Sequence, residues 1–470
     1  MFSSSIIRNQ YVAAFSAALT MTICGSCFVW STPLLPRLSG PEAIVQMTPT
    51  EISWMVSIVE VGSLASPFPT GRIADRWGRK LALITAAPPV LISWCIILSV
   101  KSAYTFYIAR LLQGYAVSVV FTVCPMYLSE IASVEARGRI TALVQVMWYL
   151  GILLQFCTGS YLSYEVNAYT NLALTVLVFL FFLTQPESPH FLMLHNLEEK
   201  TIKALQPLRC NASEESIKKE VAQIKEALDA EKDNNACWAD LIATEADRRV
   251  LLITQVLTAV RLLSGTITIS AYLSELLILA DWSTIDPKTC MVFFSTVTIV
   301  TIMIATCTVD KIGRIPLLII SSLGTCLSNG AIALFFWLKD NSDVDVTNIK
   351  WLPAVVLTLF TFFFSLGLGP VTQTIQAELF PSHMRGYGSI VSVFNMTVLS
   401  FLGLRSYQII TDFFGVSANF IIFSLVCGLG LIFTILYVPE TKGKTFYEIR
   451  THFQKHNKKE GNDIEITPKC

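Results

Sequence analysis

Charge is scarce in this sequence. Aspartate, glutamate, lysine and arginine make up 14% of its 470 residues, against about 25% in an ordinary soluble domain, while 53% of the chain is hydrophobic. A water-soluble core cannot enclose that much apolar surface, which excludes a soluble globular protein. The charges cancel at 34 of each sign, so there is no basic footprint and nucleic acid is not expected as a partner. Histidine is nearly absent at five, and His452 with His456 is a weak pair in a polar tail. Phosphate loops and nucleophile–base constellations are missing as well. Cys24-Gly25-Ser26-Cys27 has metal-ligand spacing but no second ligand pair. No cofactor, no metal and no enzymatic activity are therefore expected.

Long apolar runs are what the chain has. Twelve stretches of about 20 residues, the length that crosses a bilayer, lie at 11 to 34, 51 to 71, 81 to 100, 104 to 126, 140 to 162, 167 to 185, 250 to 277, 288 to 308, 316 to 338, 352 to 375, 389 to 410 and 416 to 438. The first is too long for a signal-peptide core and has no small-residue cleavage site before the next, so the mature chain is expected to begin near Met1. Nine of the twelve cysteines fall inside these spans, and they read as packed thiols rather than disulfides. With the N-terminus inside, 26 of the 34 lysines and arginines fall on the cytoplasmic side. Arg37, Lys101, Lys288, Lys339 and Lys350 fall outside. That bias places both termini in the cytoplasm of a multi-pass protein, expected in the plasma membrane. On this map the sequon at Asn211 is cytoplasmic and unmodified.

A polar segment from 186 to 249 divides the spans six and six. Within it Ile217, Val221, Ile224 and Leu228 recur at helical spacing between Glu and Lys residues, an amphipathic helix with Ser213 as its N-cap, docked on the cytoplasmic mouth. The expected organisation is a bundle over 1–185, the cytoplasmic helical segment over 186–249, a second bundle over 250–438 and a tail over 439–470. The halves repeat each other. Asp75-Arg76-Trp77-Gly78-Arg79 returns as Asp310-Lys311-Ile312-Gly313-Arg314; Glu130 with Arg137-Gly138 returns as Glu378 with Arg385-Gly386; Pro186-Glu187 returns as Pro439-Glu440. Parallel repeats of this kind suit two bundles rocking around a midplane site. Asp75, Arg79, Glu130, Arg137, Glu187, Asp310, Arg314, Glu378, Arg385 and Glu440 then form ion pairs that latch one state of the cycle. Read blandly, they only enforce topology.

Gly71-Arg72-Ile73-Ala74-Asp75-Arg76-Trp77-Gly78-Arg79-Lys80, Pro125-Met126-Tyr127-Leu128-Ser129-Glu130, Pro186-Glu187-Ser188-Pro189 and Pro439-Glu440-Thr441-Lys442-Gly443 resemble the signature set of the sugar porter branch of the major facilitator superfamily. Trp30-Ser31-Thr32-Pro33 and Ser53-Trp54 are similar to the insect facilitated trehalose transporter-like group. The resemblance covers nearly the whole chain. It implies an all-α membrane protein with twelve transmembrane helices in two six-helix bundles, cytoplasmic helices between the halves, alternating access, and a sugar or polyol as solute. A monomer is the expected working unit, with the lipid bilayer its other partner.

Polar stripes mark the residues that would line a cavity. Arg261, Ser264, Gly265, Thr268 and Tyr272 fall at offsets of three, four, seven and eleven in the seventh span and so are expected on one helical face. Ser365, Gly369, Thr372, Gln373 and Gln376 do so in the tenth, Thr141, Gln145, Trp148 and Gln155 in the fifth, and Asn395 adds an amide in the eleventh. Hydroxyls and amides match a polyhydroxy ligand, though the same groups also join helices in membranes. Gly367-Leu368-Gly369-Pro370 is expected to break the tenth helix. Gln145 and Asn395 match the family pattern. The family's Gln-Gln-Leu-Ser-Gly-x-Asn, however, is here Arg261-Leu262-Leu263-Ser264-Gly265-Thr266-Ile267. Gln373 stands for the usual tryptophan, Thr372 for a proline, Ser365 for a glutamate and His190 for an arginine. Glucose is therefore expected to be a poor substrate. Buried charge stands out instead: Glu60 and Arg261 near the midplane, Arg110 at a position resembling a family arginine, and Arg405 further out. A Glu60–Arg261 pair is one reading, with substrate recognition and proton coupling beside it. A facilitative carrier leads because the first span lacks the acid of proton-coupled relatives. A proton symporter using Glu60, a carrier of a charged solute and a non-transporting sensor are the alternatives.

Overall fold

The computed structural model describes residues 10–38, 45–99, 102–133, 136–209, 213–232, 238–280, 286–341, 349–380, 384–440 and 442. Nineteen α-helices run through them. The first half has α1 (Gln10–Val29), α2 (Pro49–Leu64), α3 (Pro67–Trp77), α4 (Arg79–Ile84), α5 (Ala87–Ser99), α6 (Ala103–Ile131), α7 (Arg137–Tyr161) and α8 (Tyr164–Leu183). The polar segment has α9 (Pro189–Leu194), α10 (Glu198–Leu208) and α11 (Glu214–Lys232). The second half has α12 (Glu245–Leu263), α13 (Thr266–Leu279), α14 (Pro287–Ile312), α15 (Arg314–Asn341), α16 (Leu352–Leu366), α17 (Pro370–Leu379), α18 (Arg385–Phe414) and α19 (Val416–Tyr437). Among the described residues, eleven spans are long and apolar enough to cross a membrane. The second expected span is broken at Ala65-Ser66, ahead of Pro67, and so has no single helix of that length.

Two compact units emerge. One holds Met1–Asp233 with Ala271–Glu275 and Pro287–Ser295; the other holds Asn234–Ser270, Leu276–Asp286 and Thr296–Cys470. In the first, α1 packs against α6, α7 and α8; in the second, α12 packs against α17, α18 and α19. The leading helix of each half thus meets the fourth, fifth and sixth of its own half.

Lipid supplies no hydrophobic force between helices, so close backbone approach must hold them. The first unit achieves it with reciprocal glycines. A Cβ on Gly25 of α1 would lie 2.1 Å from the Trp148 carbonyl oxygen of α7, and one on Gly151 of α7 would lie 2.1 Å from that of Thr22. Gly62 and Gly114 do the same for α2 and α6, at 2.1 Å from the Leu111 oxygen and 1.8 Å from the Val59 oxygen. Beside the first crossing, Ser26, Gln155, Asn167 and Asn171 form a buried polar lock, with Asn171 Nδ2 donating to Gln155 Oε1 at 3.0 Å and Ser26 donating to the same oxygen at 3.0 Å. The second unit leans on apolar side chains. Val250, Ile253, Leu257 and Val260 of α12 recur at helical spacing against Leu317, Leu318, Phe364, Leu368 and Val371.

Ser213 caps α11, accepting from Ser216 N at 3.2 Å. Buried Ile217, Val221 and Ile224 close on Met193 of α9 and Leu205 of α10. The apolar face of α11 therefore turns onto its neighbouring short helices. Among the described residues every cysteine is a free thiol.

Candidate transport site

The clearest geometry lies at the repeated charged motifs, where each unit builds the same corner. In the first, Gly78 has φ 104°, a left-handed backbone that starts α4 and that glycine tolerates without strain. Arg79, the first residue of α4, sends Nε to Glu130 of α6 at 3.1 Å and Nη1 to the Ala74 carbonyl at 2.9 Å and Asp75 at 3.3 Å. Its guanidinium carbon lies 5.6 Å from the Phe191 ring centroid. Glu187, beyond α8, accepts from Lys80 N at 3.0 Å and Ser188 N at 2.8 Å, so a carboxylate from elsewhere in the chain caps the positive end of α4. The Ser188 hydroxyl donates to Glu130.

The second unit repeats this plan. Gly313 has φ 107°, Arg314 Nη2 donates to Glu378 Oε1 at 2.8 Å, and Glu440 accepts from Arg314 N at 3.1 Å and Ile315 N at 3.0 Å, capping α15. Electrostatics separate the copies. Burial pushes the Glu187 carboxyl above the usual range, against donation from Ser188, Lys80 and Arg79 amides and the Arg79 charge. Burial acts on Glu440 as well, but the Lys442, Arg314 and Ile315 amides and the Arg314 charge hold it below the usual range. Glu130 is thus joined to Arg79 and Glu378 to Arg314. The side chains of Arg137, Asp310 and Arg385 lie outside the described residues.

The intramembrane charges resolve differently. Arg110, 1% exposed, donates to the carbonyls of Cys27 at 2.6 Å, Phe28 at 3.1 Å, Met55 at 3.2 Å and Val56 at 3.4 Å, and to Gln113 Oε1 at 3.3 Å. It joins α1, α2 and α6 and sets a positive charge at the negative end of α1. Glu60 of α2, 7% exposed, lies within electrostatic reach of Arg110. Arg261 sits in the last turn of α12, where the same dipole argument favours a cation. Arg405 is half-buried on α18.

That placement corrects the expected stripe of the seventh span. The helix stops at Leu263, Gly265 has φ 94°, and α13 begins at Thr266, so Arg261, Ser264, Gly265, Thr268 and Tyr272 do not share one continuous helical face. Two observations explain the break. Asn329 of α15 donates to the Ser264 carbonyl at 3.0 Å, and a Cβ on Gly265 would lie 2.5 Å from the Phe423 ring. Gly265 is a packing glycine, and the Ser264 hydroxyl turns back to Arg261 O at 2.8 Å. Thr268 and Tyr272 are buried. The break expected at Gly367–Pro370 is present, with Leu368 N donating to Ser321 Oγ at 2.8 Å. The Thr372 hydroxyl turns back to donate to Leu368 O, in the break, at 2.8 Å, and Gln373 is half-buried beside it. Asn395 reaches Gln255 O at 3.4 Å, joining α18 to α12. On α7, Gln145 and Trp148 are half-buried, whereas Gln155 is sunk in the polar lock.

Arg209 was not singled out by sequence reasoning. It clamps Glu220 with two nitrogens, at 2.7 and 3.1 Å, and donates to Gln10 Oε1 at 3.1 Å and to the Ile131 carbonyl at 3.0 Å. It thereby fastens α10 and α11 to the ends of α1 and α6. A basic residue just past a helix end, eleven residues before an acid, is a faint signal that it leaves in the sequence.

Relatives place these features. The chain is 31% identical over 94% of its length to the facilitated trehalose transporter Tret1 of Anopheles gambiae, of which it spans 56%. It is 29% identical, again over 94%, to that of Culex quinquefasciatus, of which it spans 85%. Among solved structures, the xylose transporter XylE from E. coli in a partially occluded inward-open conformation superposes with a TM-score of 0.76 at 20% identity, covering 94% of this chain and all of that one. The proton:xylose symporter XylE bound to 6-bromo-6-deoxy-D-glucose gives 0.75, also at 20%, covering 94% of this chain and 98% of that one. The fold is that of the major facilitator superfamily, with twelve membrane helices. A family model described as sugar (and other) transporter matches residues 10–453, and the chain belongs to that family.

Proposed function

We propose that this protein moves a sugar or sugar-like neutral solute across the plasma membrane by alternating access, as a facilitative carrier and a monomer, with both termini in the cytoplasm. The bundles over 1–185 and 250–438 are the moving halves, 186–249 is the cytoplasmic segment and 439–470 the tail. The observation that carries this reading is the charged corner built twice with the same wiring, Arg79–Glu130 capped by Glu187 and Arg314–Glu378 capped by Glu440. Topology alone needs only basic residues in loops. Acids converging on a buried arginine in both halves suit groups that hold one state and release it in the other. Asp75, Arg137, Asp310 and Arg385 belong to the same latch. Gln145, Trp148, Arg261, Ser264, Gly265, Thr268, Tyr272, Thr372, Gln373 and Asn395 are the proposed solute-binding set, with backbone more than side chain contributing at Gly265.

A second reading, proton-coupled symport, draws on Glu60, a buried carboxylate within reach of the Arg110 charge. Proteoliposomes loaded with the purified protein and offered labelled trehalose, xylose, glucose and a polyol, with and without an imposed pH gradient, separate the two. The facilitative reading expects saturable equilibration that ignores the gradient, with glucose the poorer substrate. Accumulation that collapses with a protonophore and in Glu60→Gln establishes symport instead.

A further inference from the structure

The seventh and tenth spans are each broken partway, between α12 and α13 and between α16 and α17. A break at membrane depth frees amides and carbonyls that no water reaches, and neighbouring helices must satisfy them. In the second unit one helix serves both breaks. Ser321 Oγ of α15 accepts from Leu368 N at 2.8 Å, and Asn329 Nδ2 of α15 donates to Ser264 O at 3.0 Å. Both side chains are fully buried, and they stand about 12 Å apart along the axis of α15.

Ser321, Ser322, Thr325, Ser328 and Asn329 are all buried and recur at helical spacing, so one side of α15 is polar. Thr325 and Ser328 turn back to carbonyls of their own helix, to Ser321 O at 2.9 Å and Gly324 O at 2.8 Å. Ser321 and Asn329 reach across instead, one offering an acceptor to a freed amide and the other a donor to a freed carbonyl. Asn329 Oδ1 is buried without a hydrogen bond, a cost that an apolar side chain would avoid. The bond to Ser264 O is what offsets that cost. At the tenth span the backbones also touch: a Cβ on Gly367 would lie 2.4 Å from the Leu317 oxygen of α15.

We infer that α15 is a shared spine that couples the two breaks, with Ser321 and Asn329 as the positioning residues through which a change at one is felt at the other. The helix runs unbroken from Arg314 to Asn341, and an unbroken helix carries displacement from one bonded site to the next. A turn of the backbone at Ser264-Gly265 pulls on Asn329, and the resulting shift of α15 reaches Leu368 through Ser321. The bearing of this linkage on transport rests on the carrier reading above. The linkage itself belongs to the second unit alone.

Amide hydrogen exchange of the purified protein in lipid nanodiscs, read on peptides over 264–270 and 366–372, tests it. Ser321→Ala and Asn329→Leu are each expected to speed exchange about threefold at the break they pin and about twofold at the other, with α18 at the parent rate. Unchanged exchange, acceleration confined to the break whose pin is removed, or equal acceleration throughout α18 overturns the linkage. Ser321→Ala removes a single oxygen and decides alone if Asn329→Leu does not insert. Uptake of labelled trehalose is a separate readout: its absence in the parent counts against the carrier reading, while the exchange pattern still decides the linkage.

Discussion

The two charged corners share a wiring plan and differ in how tightly it is enclosed. At Arg79 the partner Glu130 has a side chain only 13% exposed, and Phe191 and Ser188 close over the pair. At Arg314 the partner Glu378 is 29% exposed. Helix packing shows the same contrast. The first unit brings α1 to α7 and α2 to α6 through reciprocal glycines facing backbone, while in the second Gly324, Gly388 and Gly430 face the side chains of Phe363, Phe380 and Val260 and Gly367, in the break before α17, meets backbone at 2.4 Å from the Leu317 oxygen. A side chain can rotate away from an added methyl group, but a helix backbone cannot. The first half is therefore expected to be the stiffer one, in which small changes are felt as displacement of whole helices.

Alanine at the glycines gives the largest separation. Gly114→Ala must push α2 off α6 and is expected to cost about 4 kcal/mol or prevent folding, whereas at Gly430 the atoms nearest an added Cβ belong to the Val260 side chain and Gly430→Ala is expected to cost about 1 to 2 kcal/mol. Thermal midpoints and folded yield in detergent check this, and equal losses would remove the contrast. Breaking the ion pairs comes next. Arg79→Ala leaves a nearly buried carboxylate without its cation, at about 3 kcal/mol, while the better-solvated Glu378 limits Arg314→Ala to about 1 to 2 kcal/mol.

The turn glycines sharpen the comparison further. Both positions need a left-handed backbone, which costs a non-glycine residue about 1 to 2 kcal/mol. Only at Gly78 would the new Cβ also lie 2.3 Å from Glu187 Oε2; at Gly313 the equivalent contact to Glu440 is 3.1 Å. Gly78→Ala should be the more damaging of the two by the same assay.

Smallest is the pH response. Glu440 is held below the ordinary value of 4.5, so its contribution to stability is present above that value and is lost as pH falls through the lowered one. Glu187 is raised above 4.5, so its contribution is greatest in acid and declines as pH rises through the raised value. Glu187→Gln is accordingly expected to be tolerated at neutral pH and to flatten the stability profile above 4.5. Glu440→Gln loses stability at neutral pH and flattens the profile below it. Identical profiles would mean that the corners do not differ electrostatically.

Much of this architecture is legible in the sequence because bilayer thickness and repeated loop charges impose strong one-dimensional patterns. Span 12, expected over 416–438, is the helix Val416–Tyr437. The break at Gly367–Pro370 announces itself through proline. The break at Ser264-Gly265 does not, because it depends on Asn329 and Phe423, which lie far away in sequence. Gln155 illustrates the same limit at the level of the site. Spacing places it on the stripe with Trp148, but only the position of Ser26 and Asn171 shows that it is spent inside the bundle. Arg110 likewise reads as one more intramembrane charge until the ends of α1 and the middle of α2 are brought around it.

The duplicated corners as a latch between transport states can be tested by side-specific labelling of a reporter thiol, Thr141→Cys, with the native cysteines replaced. Glu130→Gln and Glu378→Gln should each shift the resting population so that cytoplasmic labelling rises, with normal membrane insertion and the larger shift in Glu130→Gln. Labelling from both sides that stays at the parent rate in the two variants would contradict the latch and leave these residues as determinants of topology.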